Sequence, residues 1–305
     1  MIWILIAIAA NFFYAIVFII DKYIVSKPLP QPIVYSFYVG ILSLSVWALA
    51  PFGLTMINAS QMPLILIAGI AQVGGWMFMY KSLSMGEVSR IVPFIGGLIG
   101  VFTLILSMVF LQRIFDYKTL LAMLLLILGS LIMATPKKEK DLFKFKKTKE
   151  KRFKQAFLLA LAASFLFACF WIATKYIFIQ TSFISGIVWT RTGVAIISLL
   201  LLIPSKNRKL IFNKTKTVKT KTAGFVLASR LFSIIGALGI YFAVYIGNVA
   251  VVNSLQGTQY IFILILAFFL FKKLPKLKEQ FNQEILIQKI SAIILICIGL
   301  SLLIT

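Results

Sequence analysis

Long apolar runs separated by short polar stretches dominate this chain. A helix needs roughly 20 residues to cross about 30 Å of hydrocarbon, and ten runs of about that length follow one another: 3–20, 32–50, 63–80, 91–111, 119–135, 156–174, 184–203, 223–245, 250–271 and 286–304. Proline and glycine mark the connections, as at Pro51 with Gly53 and at Pro204. The pattern predicts an all-α polytopic membrane protein with ten transmembrane helices.

The composition agrees with this pattern. Of the 305 residues, 61% are hydrophobic and 13% are charged, whereas soluble domains are about 45–50% apolar. This excludes a disordered chain, a disulfide-rich secreted scaffold and an ordinary soluble enzyme. The first run lacks a basic leader and is followed by Asp21 and Lys22 rather than by small residues, so we interpret it as a helix and not as a signal peptide.

The basic residues lie mostly on one side of the predicted helices. Lys and Arg number 31 against 8 Asp and Glu, for a formal net charge of +23, and 26 of the cations fall in the odd-numbered loops. The even-numbered loops hold Arg113, Lys118 and Lys175. Because cytoplasmic loops are enriched in Lys and Arg, the odd loops should be cytoplasmic, which places both termini outside.

The longest basic loop, 137–155, holds ten cations with Phe143, Phe145 and Phe153 between them. Such a composition suits nucleic acid or anionic lipid. We favour lipid, because a tether between two membrane segments already lies at the leaflet surface, where each cation gains about 1 kcal/mol. The net charge therefore indicates orientation, with anionic lipid as partner and no nucleic acid.

The chain matches itself at two offsets. Residues 10–25 lie over 163–178 with seven of sixteen positions identical, and 85–88 lie over 246–249 at an offset of 161. We therefore predict a first five-helix repeat at 1–136, a basic cytoplasmic linker at 137–155 and a second repeat at 156–305. Since five is odd, the repeats should have inverted topology. Secondary transporters have this architecture, with substrate held near the midplane, although a duplicated bundle without a transport role is the plain alternative.

Several of these features resemble the EamA-type family of the drug/metabolite transporter superfamily. They are the two five-helix halves, the stretch YKSLSMGEVSRIVP at 80–93, and Leu128-Gly129-Ser130 in the fifth predicted helix. The resemblance implies a metabolite transporter that is not an enzyme and needs no cofactor. Two points depart from it: Gln112 and Lys273 stand near positions where the family commonly has an acid, and family members usually keep both termini in the cytoplasm, in conflict with the charge count.

Two cations fall within predicted helices, and we take both as candidate substrate ligands. Arg191 and Arg230 each lie seven residues into a run, about 10 Å deep at 1.5 Å per residue. A charge at the centre of a helix costs at least ~2.5–3.5 kcal/mol, so it usually faces a cavity; the alternative is a side chain that extends to the headgroups. The resemblance adds weight to Arg191, because an Arg is common at that point of the family's second helix.

Polar and aromatic side chains recur at helical spacing on other predicted helices. They complete the candidate cavity: Asn11, Tyr14, Gln72, Trp76, Tyr80, Trp171, Tyr241, Asn253, Gln256 and Tyr260. Such amides can line a cavity or join helices at about 0.6 kcal/mol per bond, and the sequence does not separate the two. Pro93, Gly96 and Gly97 are hinge candidates, with close helix packing as the plainer interpretation.

The distribution of ionisable residues bears on mechanism. Every acid lies at a predicted helix end or in a loop, and the chain has no His, so no metal site or buried proton carrier is expected. Cations alone at membrane depth favour an anionic or zwitterionic small molecule, such as an amino acid, a carboxylate or a phosphorylated compound. The alternatives are a lipid or lipid-carrier flippase, and a membrane-embedded enzyme, whose catalytic groups the helices do not supply. We expect a monomer or homodimer in the plasma membrane of a bacterium or archaeon.

Overall fold

The computed structural model describes residues 2–24, 31–85, 88–134, 147–213, 220–270 and 283–304. Within these ranges every regular element is helical. The α-helices are α1 Ile2–Ile24, α2 Pro32–Leu42, α3 Met62–Leu83, α4 Val88–Phe110, α5 Tyr117–Ala134, α6 Lys147–Gln180, α7 Phe183–Leu200, α8 Ser205–Asn213, α9 Thr220–Ile246, α10 Val249–Ser254, α11 Gly257–Leu270 and α12 Gln283–Ile304. Two 3₁₀ segments, Ser43–Phe52 and Ala59–Gln61, connect α2 to α3.

Six helical stretches in the described residues are long and apolar enough to cross a membrane. They are Ile2–Ile20, Pro32–Phe52, Ala59–Leu83, Ile91–Phe110, Lys154–Gln180 and Phe183–Leu200, and three shorter apolar stretches are Tyr117–Ile132, Leu231–Ile246 and Ile287–Leu303. The predicted all-helical fold is confirmed for the described residues, and these stretches are consistent with a polytopic membrane protein. The count of ten transmembrane helices stays a prediction.

Two of the predicted runs are each divided between two elements. The run 32–50 begins as α2 and continues from Ser43 in 3₁₀ geometry. The run 250–271 is α10 followed by α11, with Leu255 and Gln256 in a turn between them. In that turn the N–H of Gln256 donates to the carbonyl oxygen of Asn253, three residues back, at 3.3 Å. A run of apolar residues thus predicts a segment at membrane depth, but it does not predict where the helix is interrupted.

The structure corrects the loop assignment at two points. Lys175, which the charge count placed in an even-numbered loop, lies inside α6 with 7% of its surface exposed. The stretch after Pro204, expected to be a loop, contains α8, whose Ile211 is buried against Val34 and Phe37 of α2. The predicted linker is also partly helical, because α6 begins at Lys147.

Helices of the first half pack mainly on helices of the second half. The most extensive pairs are α1 with α9, α3 with α6, and α5 with α12, followed by α4 with α6 and α3 with α7. Small residues allow several of these approaches. A Cβ built on Gly239 of α9 would lie 2.9 Å from the Cβ of Ala10, and one built on Gly69 of α3 would lie 2.5 Å from the backbone oxygen of Gly193.

Candidate substrate site around Arg191

Arg191 lies on α7 and faces a tyrosine of α9. Its guanidinium carbon is 4.9 Å from the centroid of the Tyr241 ring. Arg191 is half-buried, whereas Tyr241 is 2% exposed. A guanidinium over an aromatic face is attracted by the ring quadrupole, by about 0.5–1 kcal/mol at exposed sites and about 2 when water is excluded. The contact explains how a cation is held within the helix bundle.

Close packing of α7 fixes the position of Arg191 along the bundle. Two residues beyond it, Gly193 meets α3 so closely that an added Cβ would touch the backbone of Ile65. The hydroxyl of Ser43 lies 3.3 Å from the Arg191 carbonyl oxygen, to which it donates. Ser182 begins the helix, since its side chain accepts from the N–H of Ser185 at 3.3 Å. The α7 backbone is therefore fixed both before and after Arg191 along the chain.

Aromatic side chains surround the Tyr241 ring. The ring centroid of Trp171 lies 5.3 Å away, that of Phe178 6.1 Å and that of Phe170 6.4 Å. Tyr14 of α1 is near enough for its hydroxyl to interact electrostatically with Arg191. The buried Tyr241 hydroxyl has no hydrogen-bond partner among the described residues. The site thus pairs a cation and one free hydroxyl with an apolar aromatic wall.

The predicted residues of α3 lie in the same core but contribute differently. Trp76 belongs to the central hydrophobic cluster, and Tyr80 packs against that cluster. Gln72 is 8% exposed, and its Oε1 atom has no hydrogen-bond partner within the described part of the chain. Gln72 and Tyr241 therefore each offer a buried polar atom that the described protein groups leave unpaired.

A second group of predicted residues gathers at the turn between α10 and α11. The Nδ2 atom of Asn11 donates to the Leu255 carbonyl oxygen at 3.0 Å, and that of Asn253 lies 3.2 Å from the Thr103 hydroxyl oxygen. Gln256, in the turn, donates to Asn253 of α10 at 3.4 Å. The Tyr260 hydroxyl donates to the Val92 carbonyl oxygen at 2.8 Å, which joins α11 to α4. These side chains bond to the protein itself, as helix-joining residues do.

The hinge candidates lie in a continuous helix. α4 runs through Pro93, and its glycines are packing points: a Cβ on Gly96 would collide with the Tyr260 hydroxyl, and one on Gly97 would lie 3.1 Å from Leu131. In the structure these residues therefore allow close packing. Movement at Pro93, Gly96 and Gly97 stays a prediction.

Two further cations lie in the second half of the chain, the predicted ligand Arg230 and the buried Lys175. Arg230 falls within α9, but its side chain lies outside the described residues. The residue that sequence reasoning missed is Lys175, whose Nζ atom donates to the carbonyl oxygens of Val244, Tyr245 and Gly247 at 2.8–2.9 Å. Its match to Lys22 in the repeat was the available signal.

A polar cleft opens beside the aromatic wall. Its volume is about 450 Å³, and it is lined by Thr55, Met56, Ile57, Asn58, Gln61, Ile179, Gln180, Thr181, Ser182 and Tyr245. The Tyr245 ring lies 5.4 Å from that of Phe178 and 5.4 Å from that of Phe183. Phe178 in turn packs on Tyr241, so aromatic rings separate this cleft from Arg191.

One protein-family model matches the first part of the chain. Residues 1–135 match the EamA-like transporter family. The match is consistent with a membrane transporter of the drug/metabolite superfamily. No curated protein matches the sequence.

One solved crystal structure shares the fold of this chain along almost its entire length. It aligns over 98% of this chain and 97% of its own, with a TM-score of 0.70 and 12% sequence identity. At that identity the likeness concerns the fold alone. It covers both halves of the chain, whereas the family match covers the first.

Proposed function

We propose that this protein is a secondary transporter that carries small anionic or zwitterionic metabolites by alternating access between two inverted five-helix repeats. The observation that carries the proposal is the Arg191 guanidinium over the buried Tyr241 ring. Among the described residues no carboxylate pairs with it, since Asp116, the acid whose side chain is described, bonds to Thr119 instead. A cation held in the bundle with no counter-ion among the described side chains is suited to an anionic ligand.

Equivalent contacts in the two halves support the repeat architecture. At the offsets of 153 and 161, Tyr14 corresponds to Phe167 and Gly75 to Gly236. A Cβ on Gly75 would meet the Phe167 ring at 2.7 Å, and one on Gly236 would lie 3.5 Å from the Tyr14 ring. In both cases the first helix of one half packs on the third helix of the other.

A second pair of contacts follows the same relation. Asn11 corresponds to Ser164, and Asn11 donates to Leu255 while the Ser164 hydroxyl donates to the Ile95 carbonyl oxygen at 3.3 Å. Ile95 lies one residue from the position that corresponds to Leu255. Each first helix thus bonds to the fourth helix of the opposite half, as expected if the repeats are related by a pseudo-two-fold axis.

The chemistry of the site favours a carboxylate or phosphate with an apolar or aromatic body. A guanidinium presents a planar fork of N–H groups that binds either anion in a bidentate manner. Trp171, Phe178 and Tyr241 supply apolar surface next to it. Small-molecule sites commonly combine apolar walls with a few polar groups in this way.

The orientation belongs to the proposal as well. The basic odd-numbered loops would face the cytoplasm and bind anionic lipid. The cleft at Gln61 and Gln180 lies at even-numbered connections and would open to the outside. Substrate would then pass between this cleft and Arg191 when Phe178 and Tyr245 separate. We propose a monomer or a homodimer as the transporting unit.

The experiment begins with a ligand screen. Purified protein is heated with a panel of amino acids, carboxylates, phosphorylated metabolites and organic cations, because a ligand that binds the folded state raises the apparent stability. The best ligand is then used for uptake into proteoliposomes. The variants are Arg191→Ala, Arg191→Lys and, as a matched control, Arg208→Ala, whose side chain is exposed on α8.

We expect anions to raise the unfolding midpoint of the wild type and of Arg208→Ala. Arg191→Ala should lose both the midpoint shift and uptake, and Arg191→Lys should keep part of each because it keeps the charge without the fork. Stabilisation and uptake of cations alone would overturn the proposal. Movement of a labelled phospholipid without uptake of any water-soluble anion would favour the lipid flippase.

A further inference from the structure

Lys175 is a buried lysine that the proposed substrate site does not use. It lies five residues before the end of α6 and is 7% exposed. Its Nζ atom donates to three backbone oxygens, those of Val244 at 2.8 Å and of Tyr245 and Gly247 at 2.9 Å. All three donor positions of an ammonium are thus occupied. Such an arrangement holds the side chain at one fixed point.

The three oxygens are available because the backbone breaks there. α9 ends at Ile246 and α10 begins at Val249, with Asn248 between them accepting from the N–H of Ala250 at 2.9 Å. The last helical-type bond runs from the N–H of Gly247 to the Ala243 oxygen. Carbonyl groups beyond that point lose their helical partners. They also lie at the negative end of the α9 dipole.

A group of neutral carbonyl oxygens at a helix end is the chemistry that coordinates alkali cations in membrane proteins. Divalent cations prefer carboxylates, and no carboxylate of the described residues contacts Lys175. The positive charge of Arg113 also acts on this point, which disfavours a doubly charged ion further. The oxygens around Lys175 therefore have the composition of a monovalent-cation site.

We propose that these three carbonyl oxygens form a monovalent-cation site, which the Lys175 ammonium occupies. A variant that lacks the Lys175 side chain should bind sodium or potassium there. The protein needs no bound alkali cation at the α9–α10 connection, because α6 supplies the charge. The inference rests on this carbonyl geometry and is independent of the substrate proposed for Arg191.

The test compares two substitutions that differ in the space they leave. Lys175→Ala removes charge and volume, so a cation can enter. Lys175→Met removes the charge but fills the position, so it should block entry. Lys118→Ala is the control, because that lysine is exposed at the start of α5. Each full-length variant is extracted and purified in sodium chloride, potassium chloride or N-methylglucamine chloride at equal ionic strength.

The readouts are the fraction that elutes as folded protein and the midpoint of thermal unfolding. We expect the wild type, Lys118→Ala and Lys175→Met to be indifferent to the cation. Lys175→Ala should unfold about 5 °C higher in sodium or potassium than in N-methylglucamine, increasing with salt concentration as binding requires. Since no transported substrate is involved, the outcome is separate from that of the Arg191 experiment.

Three results would overturn the inference. The first is equal behaviour of Lys175→Ala in all three salts, including failure to yield folded protein in any of them. The second is a response of Lys175→Met as large as that of Lys175→Ala, which would place the cation elsewhere. The third is the same cation response in the wild type, because the ammonium should already occupy the site.

Discussion

Asn11 of α1 donates a hydrogen bond to the carbonyl oxygen of Leu255, 3.0 Å away, at the turn between α10 and α11. Both side chains are almost fully buried. The same oxygen accepts from the backbone N–H of Thr258 at 2.9 Å. Asn11 thus adds a bond between the first helix and an interrupted helix of the other half, without being the group that satisfies the carbonyl.

Substituting Asn11 by Leu should therefore destabilise the protein modestly. Hydrogen bonds between membrane helices average about 0.6 kcal/mol and reach about 1.7, and the carbonyl keeps its backbone partner. We expect a loss near 1 kcal/mol in an unfolding titration with a denaturing detergent. Phe12→Leu, at a neighbouring and more exposed position, is the control and should stay close to the wild type. A loss above about 3 kcal/mol would mean that Asn11 does more than join the helices.

Substitutions at Tyr241 separate the role of its ring from that of its hydroxyl. The ring lies under Arg191 and the hydroxyl is unpaired among the described residues. Tyr241→Leu removes a cation–π contact worth about 0.5–2 kcal/mol, so the dissociation constant of the anionic ligand should rise roughly 2- to 30-fold. Tyr241→Phe keeps the ring and should remain near wild-type affinity. Equal losses for both variants would assign the effect to the hydroxyl.

The sequence predicts the helices well because apolar length is a local property. Within the described residues each predicted run overlaps with helix, from Ile2–Ile24 to Gln283–Ile304, and six stretches are long and apolar enough to cross a membrane. The turn at Leu255 and Gln256 was not predicted, since the residues on both sides are apolar. Tertiary bonds accompany the break, from Asn11 and from Asn253 to Thr103, and no local pattern encodes them.

The sequence indicates individual candidate residues, but it does not predict which of them lie together. Helical spacing placed Asn253, Gln256 and Tyr260 on one face, where their bonds to the protein favour a role in joining helices. Depth in an apolar run singled out Arg191, but its pairing with Tyr241 depends on how α7 meets α9. The sequence predicts Lys175 in a loop, because a charged residue near the end of an apolar run indicates that the helix ends there.

Gly69 should be among the residues least tolerant of a side chain. A Cβ at Gly69 would lie 2.5 Å from the oxygen and 2.7 Å from the carbon of the Gly193 carbonyl group, which is backbone and cannot move aside. Gly69→Ala should cost about 1–3 kcal/mol, as overpacking does, and should displace α7 with Arg191. The matched control is Gly74→Ala, which meets only the end of the Leu166 side chain at 3.1 Å. The same unfolding titration measures both, and similar midpoints for the two variants would contradict the prediction.

Asp116 gives the protein a pH-dependent contribution outside the membrane-spanning helices. Its carboxylate accepts from the Thr119 hydroxyl at 2.5 Å and from the Thr119 N–H at 3.1 Å, at the start of α5. These bonds to the charged form hold the pKa of Asp116 below its ordinary value of 3.8. A lowered pKa in the folded state contributes stability that is present above the unfolded value and is lost as the pH falls through the folded value.

Asp116→Asn should accordingly unfold at a lower temperature than the wild type at pH 7, because the amide is a weaker acceptor for Thr119. The difference in midpoint should persist down to about pH 4 and then shrink as the carboxylate becomes protonated in the folded protein. Thermal unfolding of the two proteins at matched ionic strength from pH 7 to pH 3 measures this. Lys118→Ala, which removes the nearby cation and keeps both bonds, should retain most of the wild-type profile. A difference that stays constant to pH 3, or grows, would show that the charge of Asp116 does not stabilise the start of α5.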